Sequence, residues 1–153
     1  MTNKFLMRRL INVLALASVL CFCLFGADKM TVWAYEEIKK HAIDVALEER
    51  IDADSSTFGT IEAYEWAAQE WDKLLNDNYN ALMKKLDKEN RERLRASQRE
   101  WIKYRDMEFA FNENYWGGFD GTMYSVFPFA YRSNFVRERA LRLGYYLEDF
   151  NTK

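Results

Sequence analysis

Apolar side chains recur at every third or fourth position along the middle of the chain, and the whole chain contains a single proline. This spacing predicts one long helix that begins at Ser56 or Thr60 and ends near Leu86. Its apolar stripe comprises Ile61, Tyr64, Ala68, Trp71, Leu75, Tyr79, Leu82 and Leu86. No segment shows a sustained alternation of apolar and polar residues, so the sequence predicts an all-α fold without a sheet.

A second long helix is predicted directly after the first. Asp87 is a suitable N-cap residue, and Glu89 places a negative charge in the first turn, where the helix dipole favours it. The residues predicted to face inward on this helix are Leu94, Trp101, Tyr104 and Phe111. The connection is so short that the two helices must form an antiparallel hairpin or continue as one bent rod, and the hairpin is favoured.

Two further helices are predicted, one on either side of this hairpin. The first covers Tyr35 to Arg50, whereas the last begins with Ser125 as its N-cap and has apolar residues on two sides. Gly117, Gly118 and Gly121 mark the only substantial loop, because glycine adopts backbone angles that end a helix. The sequence therefore predicts a compact antiparallel bundle of about four helices, with the last helix in a central position.

The first 34 residues differ in character from the rest of the chain. Three basic residues precede an apolar run from Leu10 to Phe25, which is the pattern of a signal peptide helix. Cleavage after Ala34 would leave residues 35–153 as a periplasmic or secreted domain. The alternative is an uncleaved anchor, which would be the only membrane contact, because about 16 apolar residues is slightly short of the roughly 20 that span a bilayer.

Composition excludes several functions for the predicted mature domain. Residues 35–153 contain 18 basic and 23 acidic residues, a formal charge of −5, which argues against a nucleic-acid partner. Both cysteines, Cys21 and Cys23, lie in the predicted signal, so the domain has no thiol for disulfides, zinc sites or nucleophilic catalysis. Its single histidine, His41, is expected on the surface. The sequence predicts a non-enzymatic protein without a cofactor or a metal site.

Polar residues share the apolar stripe of the predicted third helix. Gln98, Trp101, Arg105 and Glu108 recur at spacings of four, four and three, which places them on one face. An inward guanidinium needs a carboxylate, and the candidates for Arg105 are Glu108, Asp72 and Glu138. The predicted network comprises Trp71, Asp72, Gln98, Trp101, Arg105, Asp106 and Glu108. Two roles are open for it: fixing the register of the helices, or binding a ligand.

Two motifs on the hairpin carry a resemblance to a known family. They are Trp71-Asp72-x-x-Leu75-Asn76-x-x-Tyr79 and Leu94-Arg95-x-Ser97-Gln98-Arg99-x-Trp101-Ile102-x-Tyr104-Arg105-Asp106. Their spacing is similar to that in the N-terminal domain of the lysozyme inhibitor LprI, a family of small exported bacterial proteins. The resemblance implies a helical domain that binds a lysozyme. In many members a cysteine follows the Arg-Asp pair, where this chain has Met107, so the chain resembles a cysteine-free branch.

The loop from Asn112 to Tyr124 is the predicted partner-binding site. Trp116, Phe119, Asp120 and Tyr124 combine aromatic rings with a carboxylate, which is typical of an interaction hot spot. The alternative is that these rings cap the end of the bundle core. A domain of charge −5 would be attracted to a cationic lysozyme, which is the predicted partner. The competing hypothesis is a structural module that docks onto another envelope protein.

We expect residues 35–153, produced without the first 34, to fold in a reducing cytosol. The reason is that no disulfide can form in this region and its length suffices to bury a core. Circular dichroism of the purified product should show a predominantly helical spectrum. A spectrum dominated by coil or sheet would contradict both the fold class and the independence from oxidation.

Overall fold

The computed structural model describes residues 40–151, and in this part of the chain every regular element is a helix. The elements are α1 (Ala42–Ala53), α2 (Thr57–Lys85), α3 (Lys88–Gly117), a 3-10 helix (Thr122–Val126) and α4 (Phe127–Asn151). The prediction of an all-α bundle with about four helices is confirmed. The predicted signal peptide and its cleavage site lie outside the described residues. The first helix was predicted to run from Tyr35 to Arg50, but it begins at Ala42 and ends at Ala53, because the backbone is extended at His41, which caps it.

Side-chain caps fix where the helices begin. The Ser56 hydroxyl accepts a hydrogen bond from the Gly59 N–H at 3.0 Å, and the Asp87 carboxylate accepts one from the Asn90 N–H at 2.8 Å. Each bond satisfies an N–H group that has no partner inside its own helix. The predicted start of α2 at Ser56 and the predicted cap at Asp87 are therefore confirmed.

The last helix, α4, is bonded to each of the other three. The Asn78 amide of α2 donates to the Ala140 carbonyl at 2.9 Å, and Arg139 donates to Gln98 of α3 at 3.0 Å. On its third side α4 reaches α1, where Arg137 forks onto the carboxylate of Asp44 at 2.8 Å. This confirms the central position that was predicted from its two apolar sides.

The order of these contacts gives the direction of the helices. Tyr131, early in α4, bonds Glu108, whereas the later Arg139 bonds the earlier Gln98, so α3 and α4 are antiparallel. Phe129 lies in the same surface cleft as Tyr64, and further along both helices Asn78 bonds the Ala140 carbonyl, so α2 and α4 are parallel. It follows that α2 and α3 form the predicted antiparallel hairpin, with α4 packed against both.

The apolar core lies mainly between α2 and α4. Its fully buried members are Ala67, Trp71, Leu75, Leu82, Val136, Ala140 and Leu143. Helix α3 contributes only half-buried apolar residues to this core, namely Leu94, Trp101 and Phe109, and its own two buried residues, Gln98 and Asn112, are polar. Helix α3 is therefore attached to the bundle along a narrow face rather than embedded in it.

Two residues predicted to face inward on α3 are on its surface. Tyr104 is 51% exposed and Phe111 is 61% exposed, so the prediction was wrong for both. They are seven residues apart and so lie on one side of the helix, roughly a quarter turn from the residues that face the core. The Tyr104 ring still reaches Phe135 of α4, with 5.5 Å between centroids, but half of it stays exposed. The error arose because α3 carries apolar residues on two sides, and only one of them meets the core.

The segment between α3 and α4 also differs from the prediction. Ser125, the predicted N-cap of the last helix, lies inside the 3-10 helix, and α4 begins at Phe127. Pro128 takes the second position of α4, where its missing N–H removes no hydrogen bond from the helix. Gly121 has a φ of 115°, which other residues rarely adopt, and this angle turns the chain into the 3-10 helix.

Helix α1 has no fully buried residue and is held by side-chain contacts. His41 caps α1 by accepting from the Ile43 N–H at 3.2 Å, and its ring lies 4.6 Å from the buried ring of Trp71. The expectation that His41 is a plain surface residue was therefore wrong. The forked ion pair between Asp44 and Arg137 adds the second attachment.

We expect the Asp44–Arg137 pair to contribute measurably to the free energy of unfolding. Its carboxylate is only 18% exposed and its two parallel hydrogen bonds join charged groups, so a double-mutant cycle of Asp44→Asn and Arg137→Gln should give a coupling of about 1–2 kcal/mol. Urea unfolding of the four proteins measures it. The matched control is the exposed Glu89–Arg93 pair, for which about 0.5 kcal/mol or less is expected. Equal coupling energies in the two cycles would show that the Asp44–Arg137 pair stabilises the fold no more than an exposed ion pair does.

Candidate functional site

Aromatic rings gather where α3 ends and the chain turns back into α4. The cluster comprises Tyr115, Trp116, Phe119, Tyr124 and Phe127, and we call it the aromatic end. The backbone is fixed by hydrogen bonds from the Phe119 N–H to the Trp116 carbonyl at 3.2 Å and from the Tyr124 N–H to the Gly121 carbonyl at 3.2 Å. These bonds shape the turn between α3 and the 3-10 helix. The loop predicted from Asn112 to Tyr124 is shorter than expected, because α3 continues through Gly117.

Trp116 attaches this cluster to the bundle. Its ring lies 4.6 Å from that of Phe127, and its indole N–H donates to the Asn112 side chain at 3.0 Å. Asn112 is buried, so the hydrogen bond satisfies a polar group that water cannot reach. Trp116 and Tyr124 are both half-buried. These two rings therefore cover the end of the bundle core, as in the alternative given above.

Phe119 and Asp120 are the parts of the predicted site that face water. The Phe119 ring is 43% exposed and stacks on Tyr124 with 5.1 Å between ring centroids. Asp120 follows it directly and is exposed. The structure therefore brings all four predicted residues to one end of the bundle. Trp116 and Tyr124 support the cluster, whereas Phe119 and Asp120 form an exposed pair of one apolar and one acidic side chain.

A row of exposed apolar side chains leads along α3 to the aromatic end. Tyr104, Met107, Phe111 and Tyr115 share one side of the helix and are each at least half exposed; we call them the α3 ridge. Phe111 stacks on Tyr115, which in turn contacts Phe119 at 5.2 Å. Sequence reasoning missed the ridge, although the spacing of three, four and four was the available signal.

The predicted polar network is only partly assembled. Gln98 is buried and accepts a hydrogen bond from Arg139 of α4, and Trp101 stacks on Phe135 with 5.8 Å between centroids. Trp71 lies elsewhere, beneath α1, and its buried indole N–H has no hydrogen-bond partner among the described residues. Asp72 bonds only its neighbour Asn76 on α2.

Arg105 has a carboxylate partner, but not one of the three that were proposed. Its guanidinium donates to the adjacent Asp106 at 2.7 and 2.9 Å, in a pair whose acid is 58% exposed. Glu108 instead accepts from the Tyr131 hydroxyl at 2.7 Å. The prediction of Glu108, Asp72 or Glu138 as the partner was wrong, because the next residue along the helix satisfies the guanidinium at the surface.

The part of the chain that the structure describes has neither a cluster of metal ligands nor a membrane-spanning helix. Residues 40–151 contain no group of three or more His, Cys, Asp or Glu side chains that could hold a metal ion. Within the same range, no helix is both long enough and apolar enough to cross a bilayer. The arrangement at the aromatic end is suited to binding another molecule.

The fold defines a small all-α helical domain. More specifically, the chain belongs to the lysozyme inhibitor LprI family, whose model matches residues 50–143. The matched range includes the hairpin, the aromatic end and most of α4. The family is named for inhibitors rather than for enzymes.

A solved structure shares the fold. It is the crystal structure of an uncharacterised protein from Burkholderia thailandensis, with 32% sequence identity and a TM-score of 0.64 over 68% of this chain. The match covers 52% of that protein, so this chain spans about half the length of its structural relative. No curated protein matches the sequence.

The contact between α3 and α4 perturbs a tyrosine. Burial, the hydrogen bond to Glu108 and the negative charge of that carboxylate together raise the pKa of Tyr131 to about 12, and burial is the largest cause. A raised pKa means that the folded state favours the protonated hydroxyl. The stabilisation is therefore complete below the ordinary tyrosine pKa near 10 and is lost as the pH rises through about 12.

We expect Glu108→Gln to lower the pKa of Tyr131, because it removes the negative charge that holds the hydroxyl proton. Ultraviolet titration of tyrosinate should show the highest-pKa transition moving down in Glu108→Gln and disappearing in Tyr131→Phe. Glu113→Gln is the matched control, since that carboxylate bonds Arg132 rather than a tyrosine. An unchanged titration in Glu108→Gln would show that the bond does not form in solution.

Proposed function

We propose that this protein is exported and binds a lysozyme-type cell-wall hydrolase, blocking it through Phe119 and Asp120 at the aromatic end. The observation that supports this proposal is the exposed apolar and acidic pair, packed on half-buried rings, in a member of a family named for lysozyme inhibition. A pair of this kind can fill an apolar pocket and meet a cation at its rim.

Charge supports the same partner. The formal charge of −5 on residues 35–153 would steer the protein towards a cationic enzyme and raise the association rate. This attraction acts over roughly 8–10 Å at ordinary ionic strength, so added salt should slow association more than dissociation. Asp120 would then contribute local attraction where the two surfaces meet.

One observation favours a second function, that of a module that docks onto another envelope protein. The α3 ridge presents apolar side chains from Tyr104 to Tyr115, about 16 Å along the helix axis. An exposed apolar strip of this length is a common mark of a protein interface. The ridge adjoins the aromatic end at Tyr115, so one partner could cover both surfaces.

We expect Phe119→Ala and Asp120→Asn each to weaken lysozyme inhibition by about tenfold or more while leaving the helical content unchanged, since both side chains are exposed. Inhibition is measured as protection of a cell-wall suspension from lysis by lysozymes of several classes. Trp116→Ala is less diagnostic, because Trp116 also supports the bundle through Phe127 and Asn112.

Two substitutions of the same types serve as controls. Asp77→Asn removes an exposed carboxylate from α2, and Tyr145→Ala removes a ring that is 58% exposed on α4. Neither residue belongs to the aromatic end, so neither should change inhibition. Failure to protect cell walls from any lysozyme, at low salt and in large excess, would remove the inhibitor proposal and favour the docking module. If inhibition is unchanged in both site variants, the lysozyme contact would instead be assigned to the acidic first helix.

A further inference from the structure

Arg139 stands out among the partly buried arginines of the bundle. Arg105, Arg132 and Arg137 each pair with a carboxylate, namely Asp106, Glu113 and Asp44. Arg139 instead donates only to neutral groups, the Gln98 side-chain carbonyl at 3.0 Å and the Ser97 hydroxyl at 3.2 Å. The Arg139 guanidinium also lies 5.8 Å from the centre of the Trp101 ring. A partly desolvated charge is normally matched by an opposite charge, whereas the partners of Arg139 among the described residues are neutral or aromatic.

A second arginine increases this excess of positive charge. Arg142 lies three residues further along α4 and lines the same cavity as Arg139. Burial lowers the pKa of Arg139; Tyr146 acts in the opposite direction, and the positive charge of Arg142 lowers the pKa. Two like charges three residues apart on one helix repel each other, and a bound anion would offset this repulsion.

The two arginines line a groove between α3 and α4, which we call the α3–α4 groove. Its volume is about 520 Å³, and its walls include the rings of Trp101, Tyr104 and Phe135. This volume is within the range of small-molecule sites, roughly 300–1,000 Å³. The groove therefore has room for a ring-sized ligand that contacts aromatic walls and reaches both guanidinium groups.

The remaining polar side chains restrict the ligand further. Glu138 also lines the groove, so two arginines and one glutamate leave a net charge of one positive. A ligand with several negative charges would be repelled by Glu138, whereas hydroxyl groups could donate to it. Asn134 adds an amide that can both donate and accept. The groove thus matches a hydroxyl-rich body that carries one carboxylate.

We propose that the α3–α4 groove binds an acidic saccharide, a sugar ring with a single carboxylate. The carboxylate would lie between Arg139 and Arg142, the apolar faces of the ring would pack on Trp101 and Phe135, and its hydroxyls would bond Glu138. Such a site would attach the protein to carboxylated glycans, including those of the bacterial cell wall.

This site is separate from the aromatic end. Phe127, which contacts Trp116 there, precedes Arg139 by twelve residues, about 18 Å along α4. Saccharide binding therefore does not depend on lysozyme inhibition, and either proposal can fail without the other. A protein with both sites could bind a wall glycan and a wall hydrolase together.

The test compares N-acetylmuramic acid with N-acetylglucosamine by isothermal titration calorimetry on the full-length chain. These two sugars differ by the lactyl ether that carries the carboxylate. We expect the acid to bind at least about tenfold more tightly, because only the acid can form charged hydrogen bonds with the arginines. Benzoate is the third probe, since it carries a carboxylate on a ring without hydroxyls, and it should bind at least about tenfold more weakly than the acidic sugar.

Variants assign the binding to the groove. Arg142→Gln should weaken binding of N-acetylmuramic acid by about tenfold without changing the circular dichroism spectrum, because Arg142 is exposed. Arg139→Gln should weaken it at least as much, and Arg139→Lys should restore only part, since an ammonium group lacks the planar fork. Arg99→Gln, an exposed arginine that does not line the groove, is the control and should have no effect.

Several results would overturn the proposal. Equal affinity for the two sugars would show that the carboxylate is not recognised. Benzoate binding as tightly as the acidic sugar would show that the sugar ring and its hydroxyls are not recognised. Absence of saturation by N-acetylmuramic acid at tens of millimolar would exclude a specific site of this class. Unchanged affinity in Arg142→Gln would place any binding outside the α3–α4 groove, and this variant decides the matter even where Arg139→Gln fails to fold.

Discussion

Close packing of α2 against α4 supports the rest of the structure. Ala67 and Ala140 are fully buried and small, which lets the two helices approach closely, while Trp71, Leu82 and Leu143 fill the space around them. With α2 on one side, α4 has a second side free for α3, whereas α1 packs on α2 and reaches α4 through the Asp44–Arg137 pair. The position of every candidate binding residue therefore depends on this one apolar contact.

Helix α3 is attached to that pair by the half-buried residues Leu94, Trp101 and Phe109 and by a series of polar contacts. Along its length it bonds α4 through Gln98 and Arg139, Glu108 and Tyr131, and Glu113 and Arg132. Because this attachment uses a narrow face, most of α3 stays in contact with water. Both surfaces that we connect with binding, the α3 ridge and the α3–α4 groove, exist for this reason.

The accuracy of sequence-based prediction follows the range of the interaction concerned. Caps such as Asp87 were predicted correctly, because a side chain three residues from the N–H it accepts decides the outcome locally. The partner of Arg105 was predicted wrongly. Several carboxylates could reach its side of the helix, and the adjacent Asp106 was not considered. Tyr104 and Phe111 were misplaced because periodicity identifies an apolar side without showing what covers it.

The sequence by itself determined the number and order of the helices and the grouping of aromatic residues around Gly117 to Tyr124, since spacing and turn residues act over a few positions. It favoured the hairpin over one bent rod without deciding between them. Only the tertiary structure decided which apolar side of α3 is exposed, and that Trp116 is support while Phe119 and Asp120 face water. It also decided that Arg139 lacks a carboxylate. These features depend on contacts between helices far apart in the chain, and residue spacing carries no information about such contacts.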